Sequence, residues 1–336
     1  MKLRATLVFF CLLTLTLLVH GVLAHTPLEP PFDNESLATA YGVPDPTKSW
    51  AIYAELHEGG EAQYYRLDME QGQRLRLMLF IPVSEKESFK PNLVVMGPGI
   101  TSQDAPPEFV EVATGVGVTV LEGQLPAEPA YEPFTPSAYY YLADLDSDVS
   151  VAGTYHVAVY EAYHGGRYGL AVGYREEFGL DEWLMIPIDV IGVHQWEGQS
   201  IGFILAPMLA TLIVGFVLSV WRRRAILQEI FTVTGVSAGL LYLGSGAMMF
   251  TQMILALAAT GLDFSAVLTI VFTLLPILLG VAILRLTIKD PKSVTRRVRA
   301  FIAILGLLGL FAWAGLLIGP TLALLTSILP TKSWRV

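Results

Sequence analysis

The chain has 336 residues, is 53% hydrophobic and only 15% charged, and has a mean hydropathy of +0.54. Ordinary soluble domains carry about 25% charge, so this balance excludes a wholly soluble protein and implies membrane segments beside a soluble part. Residues 25–200 hold 27 acids against 8 bases, a net of −19, whereas 201–336 hold 3 acids against 11 bases, a net of +8.

Lys2 and Arg4 precede a 15-residue apolar run, Ala5 to Val19, that is too short for a comfortable span. Val22-Leu23-Ala24 then ends in the small residue that signal peptidase requires, which predicts a signal peptide over 1–24. An uncleaved anchor is the alternative, because position −3 is Val. The single cysteine, Cys11, lies inside this segment. The expected mature chain therefore has no disulfide and no thiolate for metal or covalent chemistry. Cleavage after Ala24 makes His25 the first residue, where its amine and imidazole together offer two nitrogens to one metal. Residues 25–49 read as an extended, polar leader. It includes the sequon Asn34-Glu35-Ser36, which bears on glycosylation.

Residues 50–177 alternate short β-like runs with turn signals. In 63–82 a Gln71-Gly72 turn separates two alternating segments. Leu75, Leu77, Leu79 and Ile81 fall on one face of the second segment, and Arg74 and Arg76 on the other. Residues 91–99, PNLVVMGPG, form an apolar strand stopped by Gly-Pro-Gly. Residues 153–178 read as a hairpin in which Tyr155, Val157 and Val159 alternate on one strand and Tyr168, Leu170 and Val172 on the other. His164-Gly165-Gly166 supplies the turn. Repeated strands of this kind predict a β-sandwich.

The runs EAQYYRLDMEQGQRLRLMLF, PNLVVMGPG and AGTYHVAVYEAYHGGRYGLAVGY resemble the strand order of bacterial pre-peptidase C-terminal domains, which are small jelly-roll-like sandwiches. The resemblance covers residues 50–110 and 150–175 and implies a non-catalytic accessory domain concerned with binding or secretion. Between these parts lies a Pro- and Tyr-rich insertion near 100–150. Tyr139, Tyr140 and Tyr141 there, with Asp144, Asp146 and Asp148, are a candidate loop binding surface. The competing reading is tyrosines that cover the end of the sandwich.

Residues 178–200 carry Trp183 and Trp196 among apolar residues, which predicts a segment lying at the membrane surface; a last β-strand is the competing reading. Four apolar runs follow at 201–221, 235–257, 264–284 and 301–329, each long enough to cross a bilayer. The fourth is expected to tilt or break at Gly319-Pro320. Arg222, Arg223 and Arg224 follow the first run. Arg285, Lys289, Lys292, Arg296, Arg297 and Arg299 lie between the third and fourth. Positive-inside logic puts both basic loops in the cytoplasm and the acidic domain outside. No acid, base or histidine sits mid-span, which argues against proton relays and membrane haem. Gly235 with Gly239, and Gly315 with Gly319, match GxxxG and read as helix packing.

Chemistry is sparse. His25, His57, His156, His164 and His194 are the histidines outside the expected signal, and no H-x-H pair projects two from one strand face. Asp144, Asp146 and Asp148 have the 1, 3, 5 spacing of a calcium loop, but Val149 and Tyr155 replace its glycine and glutamate. No G-x-S-x-G or H-E-x-x-H occurs. The acidic half repels phosphate, so nucleic acid is not an expected partner.

The expected architecture is an exported, jelly-roll-like all-β sandwich followed by an all-α four-helix transmembrane bundle in the plasma membrane. The expected function is non-catalytic: binding, sensing or scaffolding at the outer face, with the lipid bilayer and other membrane proteins as partners of the helices. The alternative is copper binding or handling through His25.

Overall fold

A computed structural model describes residues 25–28, 33–85, 87–222, 229–288 and 294–331. The expected signal peptide with Cys11 lies outside the described residues, as do Arg223, Arg224, Lys289, Lys292 and the end of the chain. Two compact units result. One comprises the chain up to Ile81 with Glu85–Pro126 and Tyr141–Phe178; the other comprises Pro82–Ser84, Ala127–Tyr140 and the chain from Gly179 onward.

The first region is built from two sheets. Its strands are β1 (Thr26–Leu28), β2 (Tyr41–Gly42), β3 (Trp50–Leu56), β4 (Ala62–Met69), β5 (Arg74–Pro82), β6 (Asn92–Gly97), β7 (Gly117–Leu121), β8 (Ala130–Glu132), β9 (Ser137–Asp148), β10 (Gly153–Tyr160) and β11 (Gly166–Val172). One sheet has the order β1-β3-β11-β5-β9-β8 and the other β2-β4-β10-β6-β7.

The period of two in the sequence becomes the core. Leu75, Leu77, Leu79 and Ile81 of β5 are buried, as expected, beside Trp50 and Ile52 of β3 and Tyr168, Leu170 and Val172 of β11. In the second sheet Tyr65 and Leu67 of β4 pair in register with Val157 and Tyr155 of β10, and Val95 of β6 pairs with Val157. The opposite face of this sheet is also covered. Tyr64, Val94, Met96, Val118, Ala158 and Tyr160 cluster with Val110 from the long β6–β7 connection. Burial on both faces explains why β6 reads as an unbroken apolar run rather than an alternating one.

The expected hairpin over 153–178 is overturned. β10 and β11 do not pair with each other: β10 lies between β4 and β6, while β11 lies between β3 and β5 in the other sheet. The chain likewise changes sheets between β3 and β4 and between β4 and β5. Alternation with a glycine turn fits an arch between two sheets as well as a hairpin within one, since both present one apolar face to the core.

The insertion near 100–150 is not a loop at its Tyr- and Asp-rich end. Tyr139, Tyr140, Tyr141, Asp144, Asp146 and Asp148 all lie on β9, a single strand of 12 residues. The 1, 3, 5 spacing of the aspartates is therefore strand periodicity.

The second unit is mainly helical: α1 (Leu180–Trp196), α2 (Ile201–Arg222), α3 (Ile230–Thr260), α4 (Ala266–Thr287), α5 (Arg296–Phe311) and α6 (Ile318–Ile328). Most of residues 178–200 thus forms a helix, Leu180–Trp196, which overturns the β-strand reading. Asp181 and Glu182 favour its start by facing the positive helix end, and the Gly179 N–H donates to Glu182 Oε2 at 2.7 Å. α2, α3 and α4 are long and apolar enough to cross a membrane, and α3 is the most buried of the three. The protein is membrane-embedded. At Gly239 and Gly280 the backbones of α3 and α4 come so close that a Cβ on Gly280 would lie 2.7 Å from the Gly239 carbonyl oxygen.

The fourth apolar run is not one continuous helix. It breaks between α5 and α6, ahead of Gly319-Pro320, where Trp313, Gly315 and Leu316 have φ of 51°, 69° and 56°. Pro320 instead occupies the first turn of α6, where its missing N–H is not needed. The break is held from outside its own helices. Trp313 Nε1 donates to the Trp183 carbonyl at 2.9 Å and the Gly315 N–H donates to Ser245 Oγ at 2.8 Å. Irregular backbone at membrane depth needs such buried partners.

Candidate functional site

Of the residues singled out from the sequence, His25 is the first the structure describes. The backbone N–H of Thr26 donates to the Ser49 carbonyl at 3.0 Å, which adds β1 beside β3. The His25 ring is drawn in with it, and Nδ1 lies 2.6 Å from Ser49 Oγ. Burial, then the nearby Arg76 guanidinium, push the imidazole down to about 4, so it is neutral near pH 7. Nδ1 is also the ring nitrogen that would close the chelate expected of a His25 freed by cleavage after Ala24. Among the described residues His25 belongs to no group of three or more metal-ligating side chains.

The β9 aspartates meet arginines of β5. Arg74 Nε donates to Asp146 Oδ1 at 2.6 Å and its Nη2 to Oδ2, while Arg76 Nη2 donates to Asp144 Oδ2 at 2.9 Å. The Arg74 hydrogen bond holds the Asp146 carboxyl below its ordinary value. Two of the three carboxylates are therefore matched by guanidinium groups. Among the tyrosines, Tyr141 packs on Phe80 with ring centroids 5.7 Å apart, and Tyr139 packs on Trp196 at 6.2 Å.

The Tyr139 hydroxyl donates to Glu197 Oε1 at 2.8 Å. Glu197 Oε2 lies 2.8 Å from Nδ1 of the buried His194. Gln199 and Gln252 exchange reciprocal amide bonds of 2.9 and 2.7 Å beside them. A few residues away, Tyr131 and Thr269 hydroxyls lie 2.8 Å apart, and Thr269 Oγ1 donates to the Pro133 carbonyl at 2.7 Å. Tyr131 also packs with Met253, Ala256 and Ala266. These contacts fasten the segment Ala127–Tyr140 into the helical unit. Glu132 in the same segment is pushed up to about 7 by burial, against the lowering effect of the Phe134 N–H on its carboxylate.

Of the other histidines, His156 lies in the middle of β10, and burial lowers its pKa. His164 sits in the β10–β11 turn. His57 occupies the β3–β4 turn, in company the sequence does not announce. Glu35, His57 and Glu61 place one ligand atom each within 4.8 Å of one another. The turn is closed by Glu61, whose Oε2 accepts the backbone N–H groups of His57 at 2.5 Å and Glu58 at 3.3 Å. Gly60, with φ of 84°, supplies the left-handed step, and its N–H donates to the Glu161 carbonyl at 2.8 Å. Glu35 is delivered from the leader by Asn34, which is only 2% exposed. Asn34 accepts the Tyr64 N–H at 2.7 Å on its carbonyl and donates from Nδ2 to the Tyr64 carbonyl at 3.3 Å. The sequon asparagine is thus a structural anchor whose amide is already engaged.

Behind Glu61 runs a chain of hydrogen bonds. Gln63 Nε2 donates to Glu61 Oε1 at 2.9 Å, Tyr168 donates to Gln63 Oε1 at 2.7 Å, and Tyr65 and Tyr168 hydroxyls lie 2.5 Å apart. Both tyrosines are fully buried, and burial holds their pKa values far above the ordinary phenol range.

Fold and sites together define a class: a membrane-embedded protein with a two-sheet β-rich N-terminal region. Protein-family models give no match to this chain, and a search of curated proteins gives none either.

Proposed function

We propose that this protein is a non-catalytic binding and sensing component of the plasma membrane, with its acidic β-rich region on the outer face and its basic loops in the cytoplasm. The observation that carries the reading is the fastening of Ala127–Tyr140 to the helices through Tyr131, Tyr139, Thr269 and Glu197. These contacts lie within the second unit and give its helices an ordered non-helical segment, an element whose state binding can bias only through contacts that differ between states.

The resemblance to pre-peptidase C-terminal sandwiches supports an accessory, partner-capturing role. The net charge of −19 over residues 25–200 favours cationic ligands or basic partner surfaces. Exposed apolar side chains along α2, among them Phe203, Ile213, Val217 and Trp221, suit lipid or the helices of a membrane partner.

Native purification of the full chain in mild detergent tests this. A second protein in fixed stoichiometry, lost when the β-rich region is deleted, is the expected result. A clean monomer with its fold intact contradicts it.

A further inference from the structure

We propose that Glu35, His57 and Glu61 form a binding site for a divalent first-row transition ion of the zinc class. The site does not depend on the binding role above and lies wholly within the first unit.

The spacing is that of a ligand set. Around an ion with bonds of about 2.1 Å, tetrahedral ligand atoms lie roughly 3.4 Å apart. His57 Nδ1 lies 3.4 Å from both Glu61 Oε1 and Glu61 Oε2. That is long for a hydrogen bond and matches the ligand-to-ligand distance. Glu35 brings the third donor within 4.8 Å of both. One imidazole and two carboxylates suit zinc and its neighbours; imidazole selects against calcium and magnesium, which take oxygen ligands.

The donors are also held ready. A carboxylate offers about four lone-pair positions. Glu61 spends two on backbone N–H groups at Oε2 and one on Gln63 at Oε1, leaving Oε1 a position toward His57. Its side chain is only 9% exposed, whereas that of His57 is 61% exposed, so one face of the set is fixed and the other is open to water. Gln63 orients Glu61 as hydrogen-bonded partners commonly orient metal-bound carboxylates. Glu35 comes from a stretch of chain pinned by the buried Asn34. Three protein donors leave a fourth position for water or an external ligand.

The test uses the full chain in detergent, stripped with chelator and titrated with Zn²⁺ alone. Wild type is expected to bind one ion per chain, with Glu35→Gln and His57→Ala each weakening binding at least about 10-fold. Both side chains are exposed, so the metal-free variants should melt as wild type does. Glu61→Gln is avoided because Glu61 also closes the turn. No Zn²⁺ bound at micromolar free ion, or binding unchanged by both substitutions, overturns the proposal.

Discussion

The hydroxyl oxygens of Tyr65 and Tyr168 lie 2.5 Å apart, and because Tyr65 is on β4 and Tyr168 on β11, their bond joins the two sheets. Tyr168 also donates to Gln63, so one phenol serves two partners on the facing sheet. Polar groups at the centre of a core fix which residues face each other, because any slip leaves them unpaired.

Replacing Tyr168 by Phe leaves Gln63 Oε1 without its donor and removes one of the partners of Tyr65, which also meets the Asn34 side chain. The expected loss is about 1–3 kcal/mol, larger than for Tyr65→Phe, after which Tyr168 keeps Gln63. Denaturant unfolding of both variants checks the order. Equal losses would show that the bond to Gln63 contributes no more than the contact of Tyr65 with Asn34.

Glu197 holds both Tyr139 and His194. Glu197→Gln weakens both contacts, and Tyr139→Phe removes the first alone. Hydrogen exchange over Ala127–Tyr140 should rise in both variants, more in Glu197→Gln, while helix content is unchanged.

Glu132 makes stability depend on pH. Its carboxyl is raised from 4.5 to about 7 by burial, so the folded state holds the proton more tightly than the unfolded state. The stabilisation is complete below pH 4.5 and is lost as pH rises through 7, by up to about 3 kcal/mol. Melting temperature should fall across that window, and Glu132→Gln should flatten the slope.

His25 has the opposite sign. With its imidazole lowered from 6.5 to about 4, the unfolded state binds the proton more tightly. Stability is complete above pH 6.5 and declines as pH falls through 4. Protection factors at Thr26–Leu28, corrected for the intrinsic exchange rate at each pH, should fall in acid, and His25→Gln should remove that dependence.

Much of the architecture was legible in the sequence because it depends on local period. Alternation at Leu75, Leu77, Leu79 and Ile81 marks a sheet face, and three of the four apolar runs appear as single helices. What was misread depends on partners distant in sequence. The glycine turn at 164–166 looks the same whether β11 returns to its own sheet or crosses to the other. Gly319-Pro320 carries the stronger breaker signal, yet the bend sits at Trp313, where Trp183 supplies a partner 130 residues away. The aspartates of β9 resemble a calcium loop until Arg74 and Arg76 are placed beside them. His57 and Glu61 share one turn and could be paired by eye, but nothing local joins Glu35 to them.

Binding at the outer face requires the acidic β-rich region to lie outside the cell, and the composition offers a direct measurement. Cys11 is the only cysteine, so single cysteines placed in a Cys11→Ser background report without interference. A membrane-impermeant maleimide applied to intact cells should label Asp148→Cys on β9. It should label Arg297→Cys, at the start of α5, only after the membrane is permeabilised. Labelling of Arg297→Cys in intact cells, with Asp148→Cys protected, would contradict the orientation and the function built on it.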